Sequence, residues 1–180
     1  MAQAPFQALV NLAKQCQKAA QELPAKIESA PRWSGLGFLL MGQRFIAPLG
    51  QVAEILEVPG HTRLPGVQPW VIGLSNVRGR LLPLIDLPMF LGAQLGLQRR
   101  NHRVLVFDSG DIFSGLMIER SLGMQHFELG QHSAEQDEQV PDLIKSYLEG
   151  SYVDAQEQRW NVIDLNKLAA DARFANASLL

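Results

Sequence analysis

The chain has 180 residues, of which 47% are hydrophobic and 19% charged, and its net charge is −2. That is enough apolar material for one domain or two small ones with a sizeable core, and a sequence pI near 6.1 supplies no basic field for nucleic acid or anionic lipid. The single cysteine, Cys16, excludes an intramolecular disulfide and suits a reducing compartment; no run of about 18 apolar residues is present to span a membrane, and the N-terminus lacks the basic start and apolar core of a signal peptide, so a cytoplasmic protein is expected.

Along the first 23 residues, Phe6, Leu9, Val10, Ala13, Cys16, Ala20 and Leu23 recur at three- and four-residue steps. This pattern predicts an amphipathic helix with a narrow apolar stripe, stopped by Pro24. Packing on the main domain is the favoured reading, with Cys16 a small buried apolar residue; docking to a partner is the sharper one. Pro31 and Ser34-Gly35 predict a linker, so residues 1–35 are read as helix plus linker. From residue 36 onward short apolar segments rich in Val, Ile, Leu and Phe are cut by Gly and Pro. They predict strands at 36–41, 45–49, 52–58, 71–77 and 81–87, then a helical turn at 88–91 stopped by Gly92. Further strands are expected at 103–107, 112–118, 147–153 and 160–163, with an apolar stretch at 122–129 and a polar, acidic loop at 130–142. A closing helix is expected at 166–174, with Asp164 as its N-cap, and residues 175–180 as a tail.

The order repeats. "GFLLMGQRFIAPL" is similar to "VLVFDSGDIFSGLM", and "RLLPLIDLPMFLG" to "QRWNVIDLNKLAAD"; Ile-Asp-Leu stands at 85–87 and again at 163–165. Two such units of short strands hide their edges by closing into barrels and bury the rest by packing together. The expected fold is mainly β: two small five-stranded, SH3-like barrels around a shared core, with an N-terminal and a C-terminal helix. The domain proper spans 36–174, and the second barrel lies mainly at about 92–160.

The chain carries no G-x-S-x-G, H-E-x-x-H, P-loop or G-x-G-x-x-G. His61, His102, His126 and His132 are far apart and read as surface or capping residues. Asp108 and Asp111 bracket a turn, the ordinary role of such residues. Arg99, Arg100, His102 and Arg103 form one small basic cluster, too little for phosphate tracking. Phe38, Phe45 and Phe107 fall on apolar strand patterns and read as core. No catalytic, cofactor or metal site is expected. An interaction module is the favoured class; a small barrel that binds a ligand, or has an activity without a known motif, is the alternative.

"GLSNVRGRLLPLIDL", residues 73–87, resembles the segment G-x-x-N-x-R-G-x-x-x-P-x-x-D-L of the CheW-type chemotaxis coupling proteins. The likeness extends through "FLLMGQRFIAPLGQVAEILEV", "PWVIGLSNVRG", "YLEGSY" and "NVIDLNKL", over about residues 36–170. It implies two five-stranded barrels and a non-catalytic adaptor. The implied partners are the regulatory domain of a chemotaxis-type histidine kinase and the cytoplasmic helical tip of a methyl-accepting receptor, with no nucleic acid and no membrane insertion. Asn76, Arg78 and Gly79 match the family's Asn-x-Arg-Gly turn, whose arginine is tied to receptor binding. Glu54 matches the Val-x-Glu-Ile glutamate, and Gly73 the glycine before the turn. The apolar leader is longer than the family's, which resembles the branch that controls type IV pilus twitching. At 118–121, Ile-Glu-Arg-Ser departs from the family's common Val-Asp-x-Val. The residues themselves explain the job. Gly79 permits φ > 0 in a tight hairpin, and a guanidinium on that stiff base can grip a carboxylate with two parallel bonds.

Overall fold

The computed structural model describes residues 5–19, 32–96, 98–109, 112–135 and 140–177. Glycine-punctuated apolar segments form β1 (Arg32–Leu40), β2 (Gln43–Pro48), β3 (Val52–Glu57), β4 (Val71–Val77), β5 (Arg80–Asp86), β6 (Arg103–Asp108) and β7 (Phe113–Ile118). They continue as β8 (Arg120–Glu128), β9 (His132–Ser133), β10 (Leu148–Val153) and β11 (Arg159–Ile163). The helices are α1 (Pro5–Ala19), α2 (Leu87–Phe90), α3 (Asp142–Lys145), α4 (Leu165–Ala169) and α5 (Ala172–Ala175). One sheet has the order β8-β1-β2-β11-β10-β9, the other β3-β6-β7-β5-β4. The fold is mainly β, as the strand pattern predicts. No described helix is long and apolar enough to cross a membrane.

The repeat is visible in the pairing. In each sheet a hairpin lies parallel to the second strand of another hairpin: β2 beside β11, and β7 beside β5. The strand that leaves each hairpin then crosses over. β3, which follows β2, pairs with β6, and β8, which follows β7, pairs with β1. Each half of the sequence therefore supplies the edge strand of the other half's hairpin. The chain is not divided between sheets near residue 92, as the two halves suggest: β6 and β7 belong with β3, β4 and β5. The reason is long-range strand exchange, to which the local pattern is blind.

The two Ile-Asp-Leu tripeptides play one role. Ile85 and Ile163 are buried, as are Leu87 and Leu165. Between them, Asp86 accepts the Met89 N–H and Asp164 the Asn166 N–H, each at 2.9 Å. Each aspartate caps a short helix, a contact worth about 1 kcal/mol. Gln51, in the crossover after β2, donates to Asp164 Oδ1 and accepts from the Leu165 N–H, both at 2.8 Å.

Both sheets close toward a barrel by the same device. After β3 the chain returns to β4, where Thr62 and Leu74 exchange backbone hydrogen bonds of 2.9 and 2.8 Å. After β8 it returns as β9, where Ser133 pairs with Ser151 of β10. Each closure passes over a glycine at positive φ, Gly73 at 154° and Gly150 at 113°. A Cβ on either would stand 2.4 Å from a carbonyl oxygen, that of Thr62 or Ser133. Each barrel has its own interior: Ile46, Phe127, Tyr152 and Trp160 in one, Leu82, Leu84, Val104 and Val106 in the other. A third cluster lies between the sheets and contains Phe38, Phe45, Phe107, Leu116 and Ile163. Fully burying each such side chain contributes about 1.5–3 kcal/mol.

Several expectations need correction. Ser34-Gly35 is strand, not linker. Trp33 stacks on Tyr152 at 4.9 Å, and Gly35 lets Trp33 and Ala47 approach, since a Cβ there would meet them at 2.9 and 2.6 Å. Pro24 and Pro31 lie outside the described residues. The helical periodicity is correct, yet Cys16 is exposed, as are Leu9 (65%) and Leu12 (58%); a pattern specifies an apolar face but not what covers it. His102 is buried, its Nε2 2.8 Å from the Gly96 carbonyl. The 130–142 loop contains β9 and the buried Val140; residues 136–139 lie outside the description. The closing helix breaks in two because Asp171 leaves the helical path to cap α5, accepting the Arg173 N–H at 2.8 Å.

Asp171 also accepts from Tyr147 Oη, and from Arg173 Nη2 at 2.8 Å. Phe174 lies against Trp70 and Phe90. Hydrogen bonds from Arg173 hold the Asp171 carboxyl well below the usual carboxylate range. A depressed carboxylate stabilises the fold fully above its ordinary pKa of about 4 and loses that contribution as pH falls further. Asp171→Asn therefore lowers the thermal midpoint at pH 7, and the gap from wild type narrows as pH falls below about 4; a gap independent of pH contradicts this. A second test concerns strand exchange. Fragments cut near residue 92 each lack a partner strand, so each is unfolded alone by circular dichroism, and mixing the two restores β signal.

Candidate functional site

β4 and β5 end in a two-residue turn. Val77 pairs with Arg80, and between them Arg78 and Gly79 have φ of 53° and 83°. Two positive φ values define the type I′ turn that matches strand twist. Asn76 Oδ1 accepts the Gly79 N–H at 2.9 Å and holds the turn from below. Asn is the usual residue where Arg78 stands. An arginine in the left-handed region costs on the order of 1 kcal/mol.

Arg78 Nη2 lies 2.7 Å from Glu54 Oε2 on β3, with the two side chains 79% and 23% exposed. An ion pair that open to solvent contributes about 0–1 kcal/mol. It at best offsets the strain, so the fold gains little from an arginine at 78. Backbone strain without a structural return points to function.

The tip overhangs an open groove of about 430 Å³ at the mouth of the barrel built on the β3-β6-β7-β5-β4 sheet. Ala53, Val77, Val106 and Phe113 form its apolar lining; Glu54, Arg78, Arg80 and Asp108 its charged rim. Arg80, beside the turn, has partners of its own. Its Nη1 is 2.8 Å from Asp108 Oδ2, and its guanidinium carbon is 3.7 Å from the Phe113 ring centre. Asp108 is therefore more than a turn residue; Asp111 lies outside the described residues. The sequence reading missed Arg80, Asp108 and Phe113, whose one signal was the second arginine of Arg-Gly-Arg.

Four of the five residues singled out in the sequence meet here. Arg78 and Glu54 form the ion pair, and Asn76 and Gly79 build the turn. Gly73 sits apart, under the Thr62 backbone that closes the barrel. Two other open recesses, of about 440 and 350 Å³, lie near Glu119 and near Trp33. No group of three or more His, Cys, Asp or Glu among the described residues is placed to hold a metal.

Rigid strands, a strained exposed cation and a shallow apolar floor make a surface that can receive a partner. The family model described as "CheW-like domain" matches residues 34–173. Protein PilI of Pseudomonas aeruginosa is 42% identical over 180 residues, covering 98% of both chains. Chemotaxis protein CheW of Helicobacter pylori is 32% identical over 85 residues, 47% of this chain and 52% of that one. The crystal structure of scaffolding protein TtCheW from Thermoanaerobacter tengcongensis matches with a TM-score of 0.64 at 17% identity, over 74% of this chain and 90% of that one. The last likeness is one of fold.

If the turn does not need arginine, Arg78→Asn should leave the thermal midpoint unchanged or raise it by a few degrees, because Asn-Gly suits this turn. A drop of more than about 5 °C, or roughly 1–2 kcal/mol at this chain length, would show that Arg78 holds the fold.

Proposed function

We propose a function that proceeds from one fact: the chain belongs to the CheW-like domain family. It is a scaffold, and in our reading it couples a methyl-accepting chemoreceptor to a chemotaxis-type histidine kinase in a system that controls type IV pilus twitching. It works in the cytoplasm, at the receptor array. The observation that carries this reading is the likeness to Protein PilI, which runs through nearly the whole of both chains, α1 included. A relative matched only in the barrels would leave the branch open.

Arg78 is the receptor-contact residue in this proposal. Glu54 orients it, and Asn76 and Gly79 present it on a stiff hairpin. Gly73 acts one step removed, by closing the barrel that holds the hairpin. The geometry supports this division, since a guanidinium anchored at one edge keeps its remaining donors for an incoming carboxylate or helix-end carbonyl. Arginines held in this way are frequent binding hot spots. The kinase contacts another surface, for which no residue is named. No step of this function requires catalysis or a cofactor.

The test is Arg78→Glu. Association with a receptor cytoplasmic fragment, measured by sedimentation or calorimetry, should fall at least about tenfold, or about 1.4 kcal/mol. Co-elution with the kinase regulatory domain and the melting curve should not change. Wild-type protein that fails to bind that kinase domain at tens of micromolar would refute the scaffold reading.

A further inference from the structure

The hairpin tip carries two arginines, and the sequence points to one. We propose that Arg80, braced on Phe113 and Asp108, is a second partner-contact residue, and that the tip selects a helical surface bearing two carboxylates about one turn apart. This rests on the reading that the tip meets a receptor helix, and it adds the chemistry of that helix and a residue that reads it.

Three observations carry it. First, both guanidiniums are half spoken for. Arg78 gives Nη2 to Glu54 and Arg80 gives Nη1 to Asp108, while the side chains stay 79% and 58% exposed. A guanidinium has five N–H donors in a flat fork, so each arginine keeps donors directed at solvent. Second, Arg80 is pre-set. The Phe113 face lies 3.7 Å from its central carbon, and the Asp108 bond fixes rotation about that contact. A side chain already ordered loses less entropy on binding than a free one. No ring among the described residues lies under Arg78, which is placed instead by its left-handed backbone. Third, the space between the two cations is open. Gly79 separates them, and apart from the two arginines themselves no residue has an atom within 4 Å of where a Cβ on Gly79 would stand. Leu81, 63% exposed next to Arg80, offers an apolar contact on the same hairpin.

A helix laid across Gly79 brings its backbone close where no side chain obstructs. Residues at i and i+3 or i+4 then project from one face about 5–6 Å apart, one toward each guanidinium. Two lysines would not serve as well, because an ammonium neither lies flat on Phe113 nor grips a carboxylate with two parallel bonds. Glu54 and Asp108, behind the cations, repel a partner that presents carboxylates anywhere but in front. The same carboxylates reward a partner whose flanking residues are neutral or basic.

The experiment uses the full chain and a receptor cytoplasmic tip fragment, with affinity measured by calorimetry at two salt concentrations. Arg80→Ala should weaken binding at least about fivefold, and Arg80→Lys should recover less than half of that loss. Phe113→Leu, which removes the floor but keeps an apolar filler, should weaken binding by a smaller factor. Replacing the facing acidic pair of the receptor fragment with glutamines should abolish the difference between wild type and Arg80→Ala. Circular dichroism melts within a few degrees of wild type check that each variant folds. Binding by Arg80→Ala within twofold of wild type, while Arg78→Glu fails to bind, overturns this inference and leaves the tip reading intact. If neither variant changes receptor affinity, both readings fail. A loss of kinase binding in Arg80→Ala also overturns it, because it places Arg80 on the other interface.

Discussion

The exchange of β3 and β8 between sheets is the constraint on which the rest of the structure depends. Each barrel is completed by a strand from the other half of the chain, so neither half has a full set of backbone partners by itself. Unpaired backbone groups in a buried sheet are costly, and this makes the two barrels one cooperative unit. The exchange also explains the shared apolar cluster between the sheets. Phe38 from β1 and Phe107 from β6 belong to it together because the crossovers hold their sheets face to face. The site depends on it as well. Glu54 reaches Arg78 because β3 has crossed to the sheet that carries the β4–β5 hairpin.

At the hairpin, conformation and chemistry are assigned to different residues. Asn76 and Gly79 satisfy the turn, and Gly73 admits the Thr62 backbone that closes the barrel below it. These residues would be required whatever the tip did. Arg78 is different: asparagine would suit its backbone better, and its ion pair is too exposed to compensate by much. Arg80 lies between the two cases. Its stacking on Phe113 closes part of the barrel mouth, and its outer edge remains open to solvent. A tip with one strained cation and one braced cation, beside a shallow apolar groove, has the features of a contact surface more than those of a ligand cavity.

The duplicated segments, the strand pattern and the N-cap at Asp164 were open to reading because each rests on residues within a few positions of one another. Alternating apolar residues with glycine breaks specify strands, and Ile-Asp-Leu writes the end of a strand, a cap and a buried anchor in three letters. The errors share a different origin. Ser34-Gly35 has the composition of a linker, and only the Trp33 and Ala47 contacts show that glycine is there for close approach. Arg80 was passed over because Asp108 and Phe113, its partners, are 28 and 33 positions away. At the helix split, the carboxylate of Asp171 that caps α5 is also held by Tyr147, distant in sequence and adjacent in space. Cys16 was assigned to a buried stripe on periodicity alone, and periodicity does not supply a covering surface.

By itself the sequence determined a β-rich chain with a tight Asn-x-Arg-Gly hairpin, a repeated unit and the family to which both belong. Those follow from side-chain size, turn conformation and local hydrogen bonding, which act over a few residues. Tertiary structure alone decided which strands complete which barrel, that Glu54 faces Arg78, and that Arg80 is held on an aromatic floor. These are pairings across tens of residues, set by strand exchange and by the closure of two sheets over glycines, and no local pattern encodes which distant segment will arrive.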